Sequence, residues 1–271
     1  MLIDTHCHLN FKAFSGCVPQ VIARAKERGV GQFIVPGTDL ESSQKAVELA
    51  KVHSEVWAAV GIHPHHVPYH PGGDMEQWDA LKALIIQPRV VAVGEVGMDK
   101  YEYQVTKYPE YRITPEFVFA QEQLLKRQIE LAITFDKALV LHNRLAVTEI
   151  LKVLSESWDQ KLAGRAVFHC CEAEPALLEF AKAHQMYLGV DGDITWSKKK
   201  QRFIKEVPLS MLVLETDSPY LTPEPAKPVS KTNEPQNLIY VRDQVALLQG
   251  IASEKVVALT TQNAQKLFNL G

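Results

Sequence analysis

Eight short apolar runs recur along this chain, separated by longer segments. That alternation constrains the fold more than any single residue does. The runs are LIDTH (2–6), QFIVP (32–36), VWAAVGI (56–62), VVAVGEV (90–96), ALVLH (138–142), AVFH (166–169), MYLGV (186–190) and MLVLE (211–215). They are continuously apolar, the pattern of strands buried on both faces in a parallel sheet. Residues 18–29, 39–53, 115–135, 175–184, 234–250 and 252–268 carry apolar positions at helical spacing. In the first of these, Pro19 is a start signal and Gly29 a stop signal. Eight strand candidates alternating with helices in 271 residues predict an α/β fold, a (β/α)8 TIM barrel. A doubly wound open sheet is the alternative. No proline- or serine-rich linker divides the chain, so one domain over 1–271 is expected.

The polar residues at the C-terminal ends of these runs form a second pattern. They are His6 and His8, His63 and His65, Glu95, His142 and Arg144, His169, Asp191 and Asp193, and Glu215, Asp217 and Ser218. In a strand, His6 and His8 share one face, and Cys7 between them points the other way, toward barrel–helix packing. A single histidine at a strand end is ordinarily a hydrogen-bonded rim residue, and a single aspartate there is ordinarily a helix cap. The collection is different, because active sites of this fold sit at the C-terminal face of the barrel. Several imidazoles and carboxylates converging there are costly to bury unless paired or bound to metal. Imidazole and carboxylate without thiolate clusters suit zinc, manganese or magnesium. Two long loop-like segments, 99–115 and the proline-dense 218–236, follow strands and belong to the same face.

Composition excludes several classes. A formal net charge of −3 offers no basic surface for gripping long duplex nucleic acid. No apolar run approaches the roughly 20 residues of a membrane span, and no secretory signal opens the chain. Cys7, Cys17, Cys170 and Cys171 form no CxxC pair, so a reducing cytoplasm is the expected setting. GEVGMD lacks the GxGxxG spacing, and neither a GK[ST] nor a GxSxG motif occurs, so dinucleotide, ATP and serine-hydrolase chemistry are not indicated. The basic cluster SKKKQR (197–202) reads equally as a solvated helix face or a phosphate contact. Tyr101, Tyr103, Tyr108, Trp196 and Tyr220 lie in or near the loops, where aromatics either stack on bases or pack the loop.

IDTHCH, GEVGMD (94–99), LHNR (141–144), FHCC (168–171) and LETDSPYL (214–221), in this order, resemble the TatD family of metal-dependent hydrolases. The likeness runs from Ile3 to the terminal AQKLFNL (264–270). The resemblance implies a metal site of His6, His8, Glu95, His142, His169 and Asp217, with Glu95 bridging two ions and Asp217 holding the attacking water. It implies two divalent ions per chain, drawn from zinc, manganese, magnesium or nickel. It places His63 against the substrate, and makes KTNEPQNL (231–238) a segment near the phosphate, with Lys231 and Asn233 beside His65 and Arg144 as substrate contacts. The chain departs from the family at HCCEA, where HCFSG is usual, so Glu172 brings a negative charge. The 99–115 loop is also longer than expected, and Lys231-Thr232 replaces an arginine, which loses a bidentate fork.

The residues alone point to metal-assisted hydrolysis; the resemblance implies that the bond is a phosphodiester at a DNA end or in a short single strand. The catalytic residues are then Asp217, Glu95 and His63, and the protein is expected to be a monomer. Two other readings stand beside it. One is hydrolysis of an amide, lactone or small ester, kept open by HCCEA. The other is a metal-binding scaffold without turnover, disfavoured by the complete donor set.

Overall fold

The computed structural model of the chain describes residues 1–67, 75–106, 108 and 111–270. Residues 107, 109 and 110 of the long loop, and residue 271, lie outside the described residues.

The apolar runs form eight parallel strands: β1 (Leu2–Asp4), β2 (Val30–Pro36), β3 (Val56–Val60), β4 (Val90–Asp99), β5 (Ala138–Arg144), β6 (Ala166–Phe168), β7 (Tyr187–Val190) and β8 (Leu212–Leu214). They pair in chain order, which rules out the doubly wound sheet, whose strand order reverses at a switch point. The ends of the sheet meet: Thr5 N donates to Leu214 O (3.1 Å), Asp217 N to His6 O (2.9 Å) and His8 N to Ser218 O (2.7 Å). The chain is a (β/α)8 barrel. The helices are α1 (Val18–Glu27), α2 (Leu40–Val52), α3 (Met75–Ile85), α4 (Pro115–Thr134), α5 (Val147–Ser157), α6 (Pro175–Ala183), α7 (Lys198–Glu206), α8 (Leu238–Gln249) and α9 (Ser253–Phe268).

Local chemistry sets several boundaries. Asp39 caps α2 by accepting from Ser42 N at 2.9 Å, and Asp39 N donates in return to Ser42 Oγ. Thr114 caps α4 by accepting from Phe117 N. The segment 234–250 starts its α-helix at Leu238, because residues 235–237 form a 3-10 turn first. No helix among the described residues is long and apolar enough to cross a membrane.

The continuous runs conceal a period of two. Ile3, Ile34, Ala59, Val140, Val167 and Val213 fill a core that Phe33, Val35, Leu139, Leu141 and Phe168 do not share. The latter belong to the larger core, with side chains from α1, α2, α4, α5 and other helices. Extending the inner parity past each strand end leads from Val140 to His142 and Arg144, from Val167 to His169, and from Val213 to Glu215 and Asp217. β4 reaches Glu95 differently. Val93 pairs with Leu139 and Val96 with Leu141, so β4 carries one extra residue there. Gly97 beyond it has φ +149°, and a Cβ there would lie 1.9 Å from His142 O, so only glycine fits.

Candidate metal centre

β1 ends at Asp4, shorter than the 2–6 run suggested, yet the two histidine rings after it still converge. His6 Nε2 and His8 Nε2 lie 3.3 Å apart. Asp217 Oδ1 stands 3.8 Å from the first and 3.4 Å from the second. Glu95 Oε2 stands 3.4 Å and 3.6 Å from them. The other Glu95 oxygen faces a second group: Oε1 is 2.9 Å from His142 Nδ1 and 2.8 Å from His169 Nε2, which are 3.1 Å from each other. The rings of His6 and His169 stack at 3.9 Å between the two groups. All six side chains predicted as ligands therefore meet, and Glu95 divides its oxygens between them.

The donor set fits divalent ions. An ion held at about 2.0–2.2 Å by nitrogen and oxygen sets its ligand atoms about 3.4 Å apart at tetrahedral angles and about 3 Å apart at right angles. The first group matches the former separation and the second matches the latter. Nitrogen and oxygen donor atoms of His6, His8, Asp217 and Glu95 crowd the first group, an arrangement that a divalent cation among them would satisfy. Burial pushes the Glu95 carboxyl up, but the imidazoles of His169, His63 and His142 around it override it, holding it well below its ordinary range.

Residues behind the ligands fix their orientation, and sequence spacing alone did not reveal them. Asp4, fully buried, accepts from Thr216 N (3.0 Å) and Thr216 Oγ1 (2.7 Å), tying β1 to the segment that carries Asp217. Burial pushes its carboxyl up to about 8 against these bonds. Asp99 Oδ2 lies 3.3 Å from His142 Nε2, and Glu215 Oε1 lies 3.7 Å from His169 Nδ1, the carboxylate–histidine arrangement that orients metal ligands.

A cavity of about 810 Å3 opens over both groups. His63 enters it with a set proton position: its Nδ1 accepts from His65 N at 3.0 Å, so the neutral ring carries its hydrogen on Nε2, 3.5 Å from Glu95 Oε1. Burial first, and then the neighbouring His142, hold its pKa well below the ordinary value. Arg144 lines the cavity with its guanidinium 3.7 Å over the Tyr101 ring. His65 also lines it, but its Nε2 is bonded to Thr106 at 2.8 Å and its ring packs against Tyr103 and Tyr111, so it anchors the 99–115 loop.

Lys231 is exposed, and Asn233 is fully buried with its amide donating to Thr216 O (2.9 Å) and its Oδ1 accepting from Glu234 N; neither lines the cavity. Asn233 holds the strand-eight segment in place. The basic cluster is neither a solvated face nor a free phosphate contact at its centre. Lys200, 4% exposed, pairs with Asp191 at 3.1 Å and Asp193 at 2.8 Å, and Lys199 pairs with Glu174. Glu172 lies on the cavity wall and accepts from Asn143 Nδ2 at 2.5 Å and Leu145 N at 3.3 Å. Among the loop aromatics, Tyr103 and Tyr108 pack the loop, and Trp196 lies under Lys227. Tyr220 stays 55% exposed at the cavity rim, beside Phe11, which stacks on His8. Cys7 is buried in the barrel–helix core, as expected.

A (β/α)8 barrel with paired histidine–carboxylate groups at its C-terminal mouth defines a metal-dependent hydrolase. The chain belongs to the TatD related DNase family, which matches residues 3–269. It is similar to the uncharacterized metal-dependent hydrolase YabD of Bacillus subtilis, 32% identical over the whole of both chains. It is likewise similar to the 3′-5′ ssDNA/RNA exonuclease TatD of Edwardsiella piscicida, 32% identical over 99% of this chain and 100% of that one. Among solved structures, YJJV, a TatD homologue from Escherichia coli K12, superposes with a TM-score of 0.87 at 27% identity, covering 100% of this chain and 98% of that one.

Proposed function

We propose that this chain hydrolyses phosphodiester bonds at the ends of DNA or in short single strands, as one catalytic domain over residues 1–271 and as a monomer in a reducing cytoplasm. The observation that carries the reading is the division of the Glu95 oxygens between two donor groups under one cavity. Such a division suits two divalent ions: one with His6, His8 and Asp217, the other with His142 and His169. Zinc, manganese, magnesium and nickel all suit these donors. When bound, the ions supply an acidified water and neutralise charge on the phosphate oxygens.

The residues do the rest. Asp217, whose side chain is 14% exposed against 5% for Glu95, reaches the cavity and so is the carboxylate that orients the water and accepts its proton. His63 donates from Nε2 to a phosphate oxygen, because its Nδ1 is already occupied. Arg144 meets the phosphate charge, since its guanidinium lines the cavity and, among the described residues, is held by the Tyr101 ring and the Tyr103 hydroxyl rather than by a carboxylate. The relatives named as exonucleases of single strands support a chain-end substrate. The mildly acidic composition suits a site that reads few phosphates.

The test uses metal-stripped protein and a short 3′-labelled single-stranded DNA, with magnesium, manganese or zinc added in turn. Cleavage is expected to return with metal and to fall by about 10²–10⁴-fold in Asp217→Asn. Glu172 favours a second reading, hydrolysis of an uncharged amide or lactone, because its carboxylate stands on the wall a phosphodiester would face. Metal uptake without DNA cleavage, together with turnover of an amide or lactone, would replace the first reading by the second.

A further inference from the structure

The loop after β4 carries a hydroxyl that the chemistry above leaves unused. Tyr103 lines the cavity, with its hydroxyl 2.7 Å from Asp99 Oδ2 and 3.1 Å from Arg144 Nη1. A phenol has one proton to give and lone pairs to receive. A guanidinium only donates, and an ionised carboxylate only accepts. The direction of the chain is therefore fixed: Arg144 donates to Tyr103, and Tyr103 donates to Asp99.

The Asp99 end reaches the metal centre. Asp99 is fully buried, and its Oδ1 accepts from Tyr101 N at 2.7 Å. Its backbone is clamped by Gln121, which accepts from Asp99 N (2.9 Å) and donates to Asp99 O (2.8 Å). An acceptor held this firmly takes the Nε2 hydrogen of His142, 3.3 Å away. The bare Nδ1 of His142 is then left facing Glu95 Oε1 and His169 Nε2.

The Arg144 end reaches the substrate space. The Tyr101 ring supports one face of the guanidinium at 3.7 Å, and the Tyr103 hydroxyl holds one N–H. Two anchors reduce the rotamer freedom that a long side chain loses on meeting an anion. Tyr103 is itself positioned by edge contacts with His65 at 4.7 Å and Tyr101 at 4.9 Å.

We propose that Tyr103 is a positioning residue whose hydroxyl sets both the Arg144 guanidinium over the cavity and the Asp99 carboxylate behind His142. One phenol thus governs substrate affinity and the hold on the second ion. This rests on the reading of His142 as a ligand and Arg144 as a phosphate contact.

The experiment compares Tyr103→Phe with Tyr108→Phe, which removes a hydroxyl in the same loop that bonds His66 instead. Metal affinity is read by chelator competition with cobalt, followed by visible absorption, and kinetics by the labelled oligonucleotide. Tyr103→Phe is expected to weaken binding of one ion about tenfold while the other is unchanged, and to raise KM severalfold with a smaller change in kcat. Tyr108→Phe is expected to do neither. Equal losses in both variants would reduce the effect to loop packing and overturn the proposal, as would wild-type metal binding and KM in Tyr103→Phe. If wild-type protein leaves every oligonucleotide intact, the hydrolytic reading fails, while selective loss of one ion in Tyr103→Phe still upholds the Tyr103–Asp99–His142 link.

Discussion

At the scale of single residues, the cavity wall sets charge against charge. Lys199 and Lys200 are bound to carboxylates, and Glu172 has no cationic partner among the described residues. A carboxylate facing an anionic substrate raises its binding free energy through a partly solvated medium, where the effect is modest and screened by salt. Glu172→Gln keeps the side chain's shape and removes the charge. KM for the oligonucleotide is expected to fall about threefold at low ionic strength, and the difference is expected to vanish near 0.5 M salt. A salt-independent change, or none, would show that the Glu172 charge does not reach the substrate. An uncharged lactone should be indifferent to the same substitution.

At the scale of elements, α7 separates what spacing reveals from what packing decides. The run SKKKQR shows charge, but not which lysine turns inward. Lys200 does, because the helix packs its side chain against the end of β7. Burial lowers the Lys200 ammonium and raises the Asp191 carboxyl, and their attraction overrides both: Lys200 is held well above its ordinary value and Asp191 below its own of 3.8. Stability from Lys200 is present below its ordinary value of 10.5 and is lost only as pH rises through its higher folded value. Stability from Asp191 is present above 3.8 and is lost as pH falls through its lower folded value. Lys200→Met should therefore cost about 3–5 kcal/mol at neutral pH. The penalty should shrink toward pH 4, where the orphaned carboxylates take up protons, and denaturant unfolding at pH 4.5 and 7.5 checks the difference. A lysine serving mainly as a phosphate contact would change KM and leave stability alone.

The same contrast explains what the chain discloses before folding. The eight runs announce the barrel, and the polar residues at their ends bring candidate donors to one mouth; the particular set of six comes from the family resemblance, and strand parity accounts for His142, His169 and Asp217 but not for Glu95. α3, α5 and α7 are not among the segments whose apolar spacing predicts a helix; α7 shows in the sequence only as a basic cluster, although Ser197 caps it by accepting from Lys200 N. Asp4 and Asp99 were overlooked for their roles because each acts on a partner distant in sequence, Thr216 and His142. Proximity in a motif does not say which side chain enters the cavity: in KTNEPQNL, Asn233 is buried against Thr216 while Lys231 is exposed. The β4 bulge that turns Glu95 inward is likewise invisible to a count of apolar positions.

At the scale of the molecule, the metal centre straddles the seam where the chain's two ends meet. His6 and His8 follow β1, Asp217 follows β8, and the backbone bonds between Thr5 and Leu214 and between His6 and Asp217 close the barrel there. Ions held across this seam bind the folded state alone, so they stabilise it by mass action. At a hundredfold excess over Kd each ion contributes about 2.7 kcal/mol, and each kcal/mol moves Tm by about 2–4 °C in a chain of this size. Removing metal from the intact protein is expected to lower Tm by roughly 10–20 °C, and readdition should restore it in two steps. His169→Ala should abolish one step and keep the other, since His169 faces one donor group. Glu95→Ala should abolish both, because its two oxygens serve both groups. Calorimetry across a manganese titration distinguishes these patterns. A single step shared by wild type and His169→Ala would mean that one ion, seated by His6, His8 and Asp217, carries the whole linkage between metal and fold.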